Sequence, residues 1–182
     1  EAFDVPVWGS DYTAKSVPCQ RVLTDGETLN LGRQTWTVLI TPGHHPGHVC
    51  LFSEAGLVAG DMLAGIGTIL IPPHTGDMNE YLLQLERLKA LKPHLVFPSH
   101  GPVVAIPDRL IDHYLSHRRA RHARVLEAVR NGASQLVKIA EEAYADSPDA
   151  HPGLAVDQTL SHLRALAADG TVCEENGTWR TS

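Results

Sequence analysis

The stretch Thr41-Pro42-Gly43-His44-His45-Pro46-Gly47-His48 constrains this chain more than any other. It places three histidines within five residues, between proline and glycine pairs that regular helices and strands do not tolerate. The histidines therefore sit in a loop. The next residues of the chain give that loop a place. His48 to Ser53 (HVCLFS) reads as a short buried strand and Leu57 to Gly60 (LVAG) as a second, with Glu54-Ala55-Gly56 as the turn between them. A hairpin reverses the chain, so His44, before its first strand, and Asp61, after its second, reach the same sheet edge. An imidazole and a carboxylate at one edge are two metal ligands, or a base and its orienting acid.

A third group arrives by another route. Leu95-Val96-Phe97 is an apolar strand core that runs into Pro98-Ser99-His100-Gly101-Pro102. The helix before it returns the chain across the sheet, so this strand can lie beside the hairpin. Ligands in α/β sheets gather at strand ends and the loops beyond them. His44, Asp61 and His100 thus form one candidate cluster.

The three motifs, in this order, resemble the second half of the metallo-β-lactamase superfamily, which carries T-P-G-H-T-x-x-H, an S/T-G-D and P-G-H-G-P. The resemblance implies that His44 is a ligand of a first metal, Asp61 a carboxylate bridging two metals, and His100 a ligand of the second. It implies two zinc ions, with iron or manganese as alternatives, and a metal-bound hydroxide that attacks an ester, thioester, lactone or phosphodiester. Ser99 stands where the family usually has glycine. The family's leading H-x-H-x-D-H motif has no counterpart in the sequence. The resemblance therefore implies a partner: the front half of the same domain, cleaved, disordered or on another chain.

The rest of the chain fits an α+β reading: half of an αββα sandwich over residues 1–106, then a winged-helix-like module over 107–182. Phe3 to Trp8 supplies a first strand, with its core at Val5 to Trp8, and Gly9 to Pro18 a polar loop. Arg21–Leu23, Thr28–Leu31 and Gln34–Ile40 are strands, the last with Trp36, Val38 and Ile40 alternating onto one face. Met62 to Thr68, with two glycines, forms a lip of the site. Asp77 opens a helix, with Glu80 in the capping-box position and Leu82, Leu85, Leu88 and Leu91 as its buried stripe. Pro107 begins a longer helix. Its run His117-Arg118-Arg119-Ala120-Arg121-His122 reads first as a solvated basic face, and otherwise as a helix leaning over the cleft toward an anionic substrate. Ser134 caps the next helix, Leu154 to Ala168 forms a third, and Asn176-Gly177 turns a final hairpin.

Charge narrows the partners. The formal net charge is −6, and Asp108 to Ser182 carries nine Lys/Arg against eleven Asp/Glu. A groove reader needs several phosphate-neutralising cations, so the last module is expected to dock or cover rather than bind DNA. A small molecule is the expected substrate, with RNA as the other option, and a homo-oligomer is possible. No apolar run reaches the ~18 residues of a membrane span. Three widely spaced cysteines give no disulfide framework, which points to reduced thiols and a cytoplasmic setting. Among the other histidines, His48 reads as a hydrogen-bonding support of the ligands and His74 as a substrate contact. His45 reads as exposed or packed within its loop, and His94, His113, His117, His122, His151 and His162 read as surface or capping residues. The competing function is a non-catalytic binding module acting through the winged helix.

Overall fold

The computed structural model describes residues 5–182. The predicted first strand falls later than Val5–Trp8: β1 is Trp8–Ser10, and Phe3 and Asp4 lie outside the described residues. The expected loop after it contains a helical turn, α1 (Asp11–Ala14), whose N-cap Ser10 accepts from the Thr13 amide. Four residues carry too little periodicity to announce a helix. β2 (Arg21–Leu23) pairs parallel to β1 in a two-stranded ribbon, not with the meander after it.

The main sheet has five strands in the order β3 (Thr28–Leu31), β4 (Gln34–Ile40), β5 (Val49–Ser53), β6 (Gly56–Gly60) and β7 (Val96–Pro98). The first four are antiparallel neighbours, and β7 lies parallel to β6. That parallel pairing needs a crossover, which α2 (Met78–Ala90) supplies. Asp77 caps it through its carboxylate and the Glu80 amide.

Strand alternation assigns the two faces. Leu39, Cys50, Leu57, Ala59 and Val96 turn to one side and join Leu85 and Leu88 of α2 in the principal core. Leu57, Leu85 and Leu88 are wholly buried. Each contributes roughly 2 kcal/mol through its burial. Leu82 and Leu91, expected in this stripe, are only half-buried; Tyr81 takes the inner place. Val38 turns to the opposite side, where Leu23 and Leu29 cover it completely. The expected apolar face of β4 is thus partly closed by the chain's own β2–β3 segment, with Ile40, Val49 and Leu51 packed around it.

The remaining chain is α3 (Pro107–Arg130), α4 (Leu136–Ala143), α5 (Pro152–Ala168) and the hairpin β8 (Val172–Glu175) and β9 (Thr178–Thr181). α3 serves two cores. Ile111, Tyr114 and Leu115 enter the principal one, while Val125, Ala128 and Val129 join Ile139, Leu163 and Trp179 in a second. Ser134 does not cap α4; Gln135 is the N-cap, and the Ser134 carbonyl accepts from the Trp179 amide instead. The run around Arg118 is not a solvated basic face: Arg118 and Arg121 are only 2% and 5% exposed. They continue the Ile111–Tyr114–Leu115 stripe at helical spacing, a signal that charge had masked.

His162 is also interior rather than superficial. It is fully buried against His122, its Nδ1 3.2 Å from that of His122, and its Nε2 has no partner. Burial first, then the nearby Arg118, holds its pKa well below the ordinary histidine value. Between that lowered value and 6.5 the unfolded chain binds a proton that the folded chain refuses. The resulting stability is intact above pH 6.5 and is lost as pH falls below it, at about 1.4 kcal/mol per pH unit for one such group. Urea unfolding at pH 7.5 and 5.5 should show this loss, and His162→Gln should reduce the slope by about that amount.

Candidate metal centre

Each member of the cluster is set by backbone anchored elsewhere. Gly43 lies just beyond β4 with φ +139, and its carbonyl accepts from the Asp77 amide at 2.7 Å, tying the histidine loop to the start of α2. Asp61 follows β6 directly. The next residue is pinned where Tyr81 of α2 donates its hydroxyl to the Met62 carbonyl at 2.8 Å. His100 follows β7, and its loop is stitched to β6 by the Ser99 amide on the Gly60 carbonyl and by the Gly65 amide on the His100 carbonyl. Ser99 is absent from the positive-φ residues, so its side chain is accommodated on ordinary backbone.

These anchors bring the three side chains together. His44 Nε2 lies 3.6 Å from Asp61 Oδ2, and His100 Nε2 lies 3.3 Å from Asp61 Oδ1. His44 Nδ1 donates to the Leu70 carbonyl at 2.7 Å, which leaves the Nε2 lone pair facing the carboxylate. The Asp61 Oδ1 atom is buried and makes no hydrogen bond; its approach to His100 lacks the geometry of one. A buried carboxylate oxygen without a donor is costly unless a cation meets it.

His48 stands behind the cluster with both nitrogens committed. Its Nε2 accepts from the Asp61 amide at 3.0 Å, so Nδ1 carries the proton and donates to Thr41 Oγ1 at 2.7 Å. The Thr41 hydroxyl passes the chain to Cys50, whose thiol donates to the Ala59 carbonyl at 3.3 Å. Burial, helped by the adjacent His44, lowers the His48 pKa to about 4, so the ring is neutral at physiological pH. Burial likewise pushes the Cys50 thiol up to about 12 and keeps its proton in place. Gly60, at φ +51, permits this arrangement: a Cβ there would sit 2.6 Å from His48 Nε2.

His45 of the same loop and His74 of the 72–76 stretch make their contacts elsewhere. His45 is exposed, accepts from the Gly47 amide and meets Tyr12 edge-on at 5.3 Å. His74 lies 3.4 Å from Arg164 of α5, and no hydrogen bond or ion pair among the described residues joins it to the cluster.

The donor set, two imidazole nitrogens and a carboxylate with one orphaned oxygen, fits a borderline divalent metal such as zinc. It is short of a full set. Among the described residues no three histidine, cysteine or carboxylate side chains converge on one point as ligands of a single ion, and His44 and His100 each approach a different oxygen of Asp61. Sequence reasoning missed the contribution of Leu70, whose role is purely backbone and leaves no residue-type signal.

The metallo-beta-lactamase superfamily profile matches residues 3–100. A Beta-lactamase-like protein 2 homolog from Caenorhabditis elegans is 30% identical over 154 residues, covering 83% of this chain and 48% of that protein. An atrochrysone carboxyl ACP thioesterase from Aspergillus fumigatus is 28% identical over 116 residues, covering 63% of this chain and 36% of that protein. A beta-lactamase domain protein from Burkholderia ambifaria superposes with a TM-score of 0.80 at 26% identity, over 91% of this chain and 53% of that one. The chain therefore spans about half the length, or less, of the relatives it matches.

Proposed function

Since the chain belongs to the metallo-beta-lactamase superfamily, we propose that it carries the His44–Asp61–His100 portion of a dinuclear metal centre that hydrolyses a carboxylic ester or thioester. The orphaned Oδ1 of Asp61, on a carboxylate held between two histidine Nε2 atoms, carries this reading. Two zinc ions, or iron or manganese, supply Lewis acidity and lower the pKa of a bound water toward neutrality. Asp61, His44 and His100 would be the side chains that hold these ions. Three side chains are too few for two ions of three or four protein ligands each, so residues outside the cluster complete the set.

The protein's own groups do the positioning. The Leu70 carbonyl fixes the His44 tautomer and raises its basicity as a ligand. His48 clamps the Asp61 backbone and, being neutral, adds no competing charge. The segment from Met62 to Thr68 forms a wall beside Asp61, and the Ala64 amide donates to the Tyr114 hydroxyl at 3.1 Å to hold it. Thioester chemistry is favoured by the likeness to the Aspergillus thioesterase, and the net charge of −6 disfavours a polyanion. A pure binding module would leave the buried Asp61 oxygen with no purpose.

The test is metal analysis and turnover of the full-length protein, purified without chelator. We expect about two ions per chain and hydrolysis of short acyl thioesters. His100→Ala should lose about one ion and lower the rate on the order of a hundred-fold or more. Fewer than one ion per chain together with no turnover would refute the proposal.

A further inference from the structure

Behind the Thr68–Leu70 segment lies a cavity of about 310 Å³, walled mainly by apolar surface from α3, α5 and the 144–151 loop. Leu70 is common to both places: its carbonyl holds His44, and the residue lines the cavity. The cavity therefore begins one residue from the candidate metal centre.

Its charge is unusual. Arg118 lines it, is 2% exposed, and has no carboxylate within ion-pair reach among the described residues. Its guanidinium is met only by neutral acceptors: Gln158 Oε1 at 2.7 Å, Thr68 Oγ1 at 3.1 Å and the Ile69 carbonyl. Its Nε has no partner. Arg121, on the same wall, is paired with Asp146, yet its Nε is also unpartnered. α5 begins at the same cavity with His151, Leu154 and Ala155 on the lining, and no side chain caps its N-terminus. An uncompensated buried guanidinium is strongly unfavourable. A guanidinium charge on Arg118 that no carboxylate among the described residues meets, beside an uncapped helix start on the same wall, describes a receptor for an anion.

We propose that this cavity is a distal substrate pocket, which takes an acyl chain ending in a carboxylate and seats that carboxylate on Arg118 and Arg121. The proposal rests on the hydrolase reading above and names its substrate class: half-esters or half-thioesters of dicarboxylic acids. The apolar walls receive the methylene chain, and the forks receive the charge. A neutral acyl chain of equal length gains the walls and leaves the guanidinium unpaired.

Two measurements on the full-length protein test it. The first is hydrolysis of the N-acetylcysteamine thioesters of adipic acid (one end free) and hexanoic acid. The adipyl substrate should have a KM at least ten-fold lower, and Arg118→Gln should bring the two together. Leu154→Trp, which fills the cavity from a half-exposed rim position, should do the same even if the arginine variant fails to fold. The second is calorimetric titration of His100→Ala with hexanoate and hexanamide, which needs no turnover and bypasses a complete metal centre. Hexanoate should bind at least ten-fold more tightly, and Leu154→Trp, introduced into this variant, should abolish the difference. Equal binding of acid and amide would overturn the pocket. Tight hexanoate binding with equal KM values for the two thioesters would overturn its place on the substrate path. Loss of turnover in the wild type with the binding preference intact would overturn the hydrolase reading instead.

Discussion

Under the proposed dinuclear reading, Asp61→Asn should lower hydrolysis by roughly a thousand-fold or more, because several kcal/mol of charge stabilisation would disappear with the second ion. The substitution keeps the shape of the side chain and removes the charge that the proposed metal centre requires. The backbone is untouched: the Asp61 amide still donates to His48, and Tyr81 still holds Met62. Metal content should fall from about two ions to one or fewer. The metal-stripped variant, by contrast, should be no less stable in urea than the stripped wild type. Its buried Oδ1 makes no hydrogen bond in the fold, so losing the charge relieves a desolvated oxygen. Activity and stability moving in opposite directions would identify Asp61 as a ligand. A parallel loss of both would mark it as a structural residue.

A second large effect is expected at a residue with no chemistry. Gly43→Ala should destabilise the protein by more than about 3 kcal/mol, combining overpacking with a strained backbone. At φ +139, a new Cβ would meet Tyr81 Cα at 2.4 Å and Tyr81 N at 2.6 Å. Those are backbone atoms of α2, which cannot swing aside as a side chain end would. The loop or the helix must move, and both carry the site: His44 is the next residue, and Tyr81 anchors the turn after Asp61. Urea unfolding should give the stability change. Metal analysis should show that the surviving folded fraction binds less than the wild type.

The parts of this fold that were legible are those where one period dominates. β2, β3 and β4 fall on the strands read from alternation, and α2 begins at the Asp77–Glu80 box. The cluster was legible because a hairpin and a crossover dictate which residues share an edge, and the two histidines each lie within 3.6 Å of the Asp61 carboxylate. What failed was charge. Arg118 and Arg121 occupy stripe positions of α3, but an arginine run is read as surface, since arginine is seldom buried without a partner. His162 failed for the same reason. α1 failed because four residues hold barely one turn. The backbone contact from Leu70 to His44 could not be read at all, since a carbonyl has no letter in the sequence.

That carbonyl sits in a segment gripped from its far side. Gln158 of α5 receives the Ile71 amide and donates to the Ile71 carbonyl, while Arg118 of α3 holds Thr68 and Ile69. The last third of the chain is thus no interchangeable cassette. A chimera that joins this sheet to helices from a relative will keep His44 aimed only if it brings an arginine and a glutamine at the two matching positions. Those two residues form the graft boundary that a recombination experiment must respect.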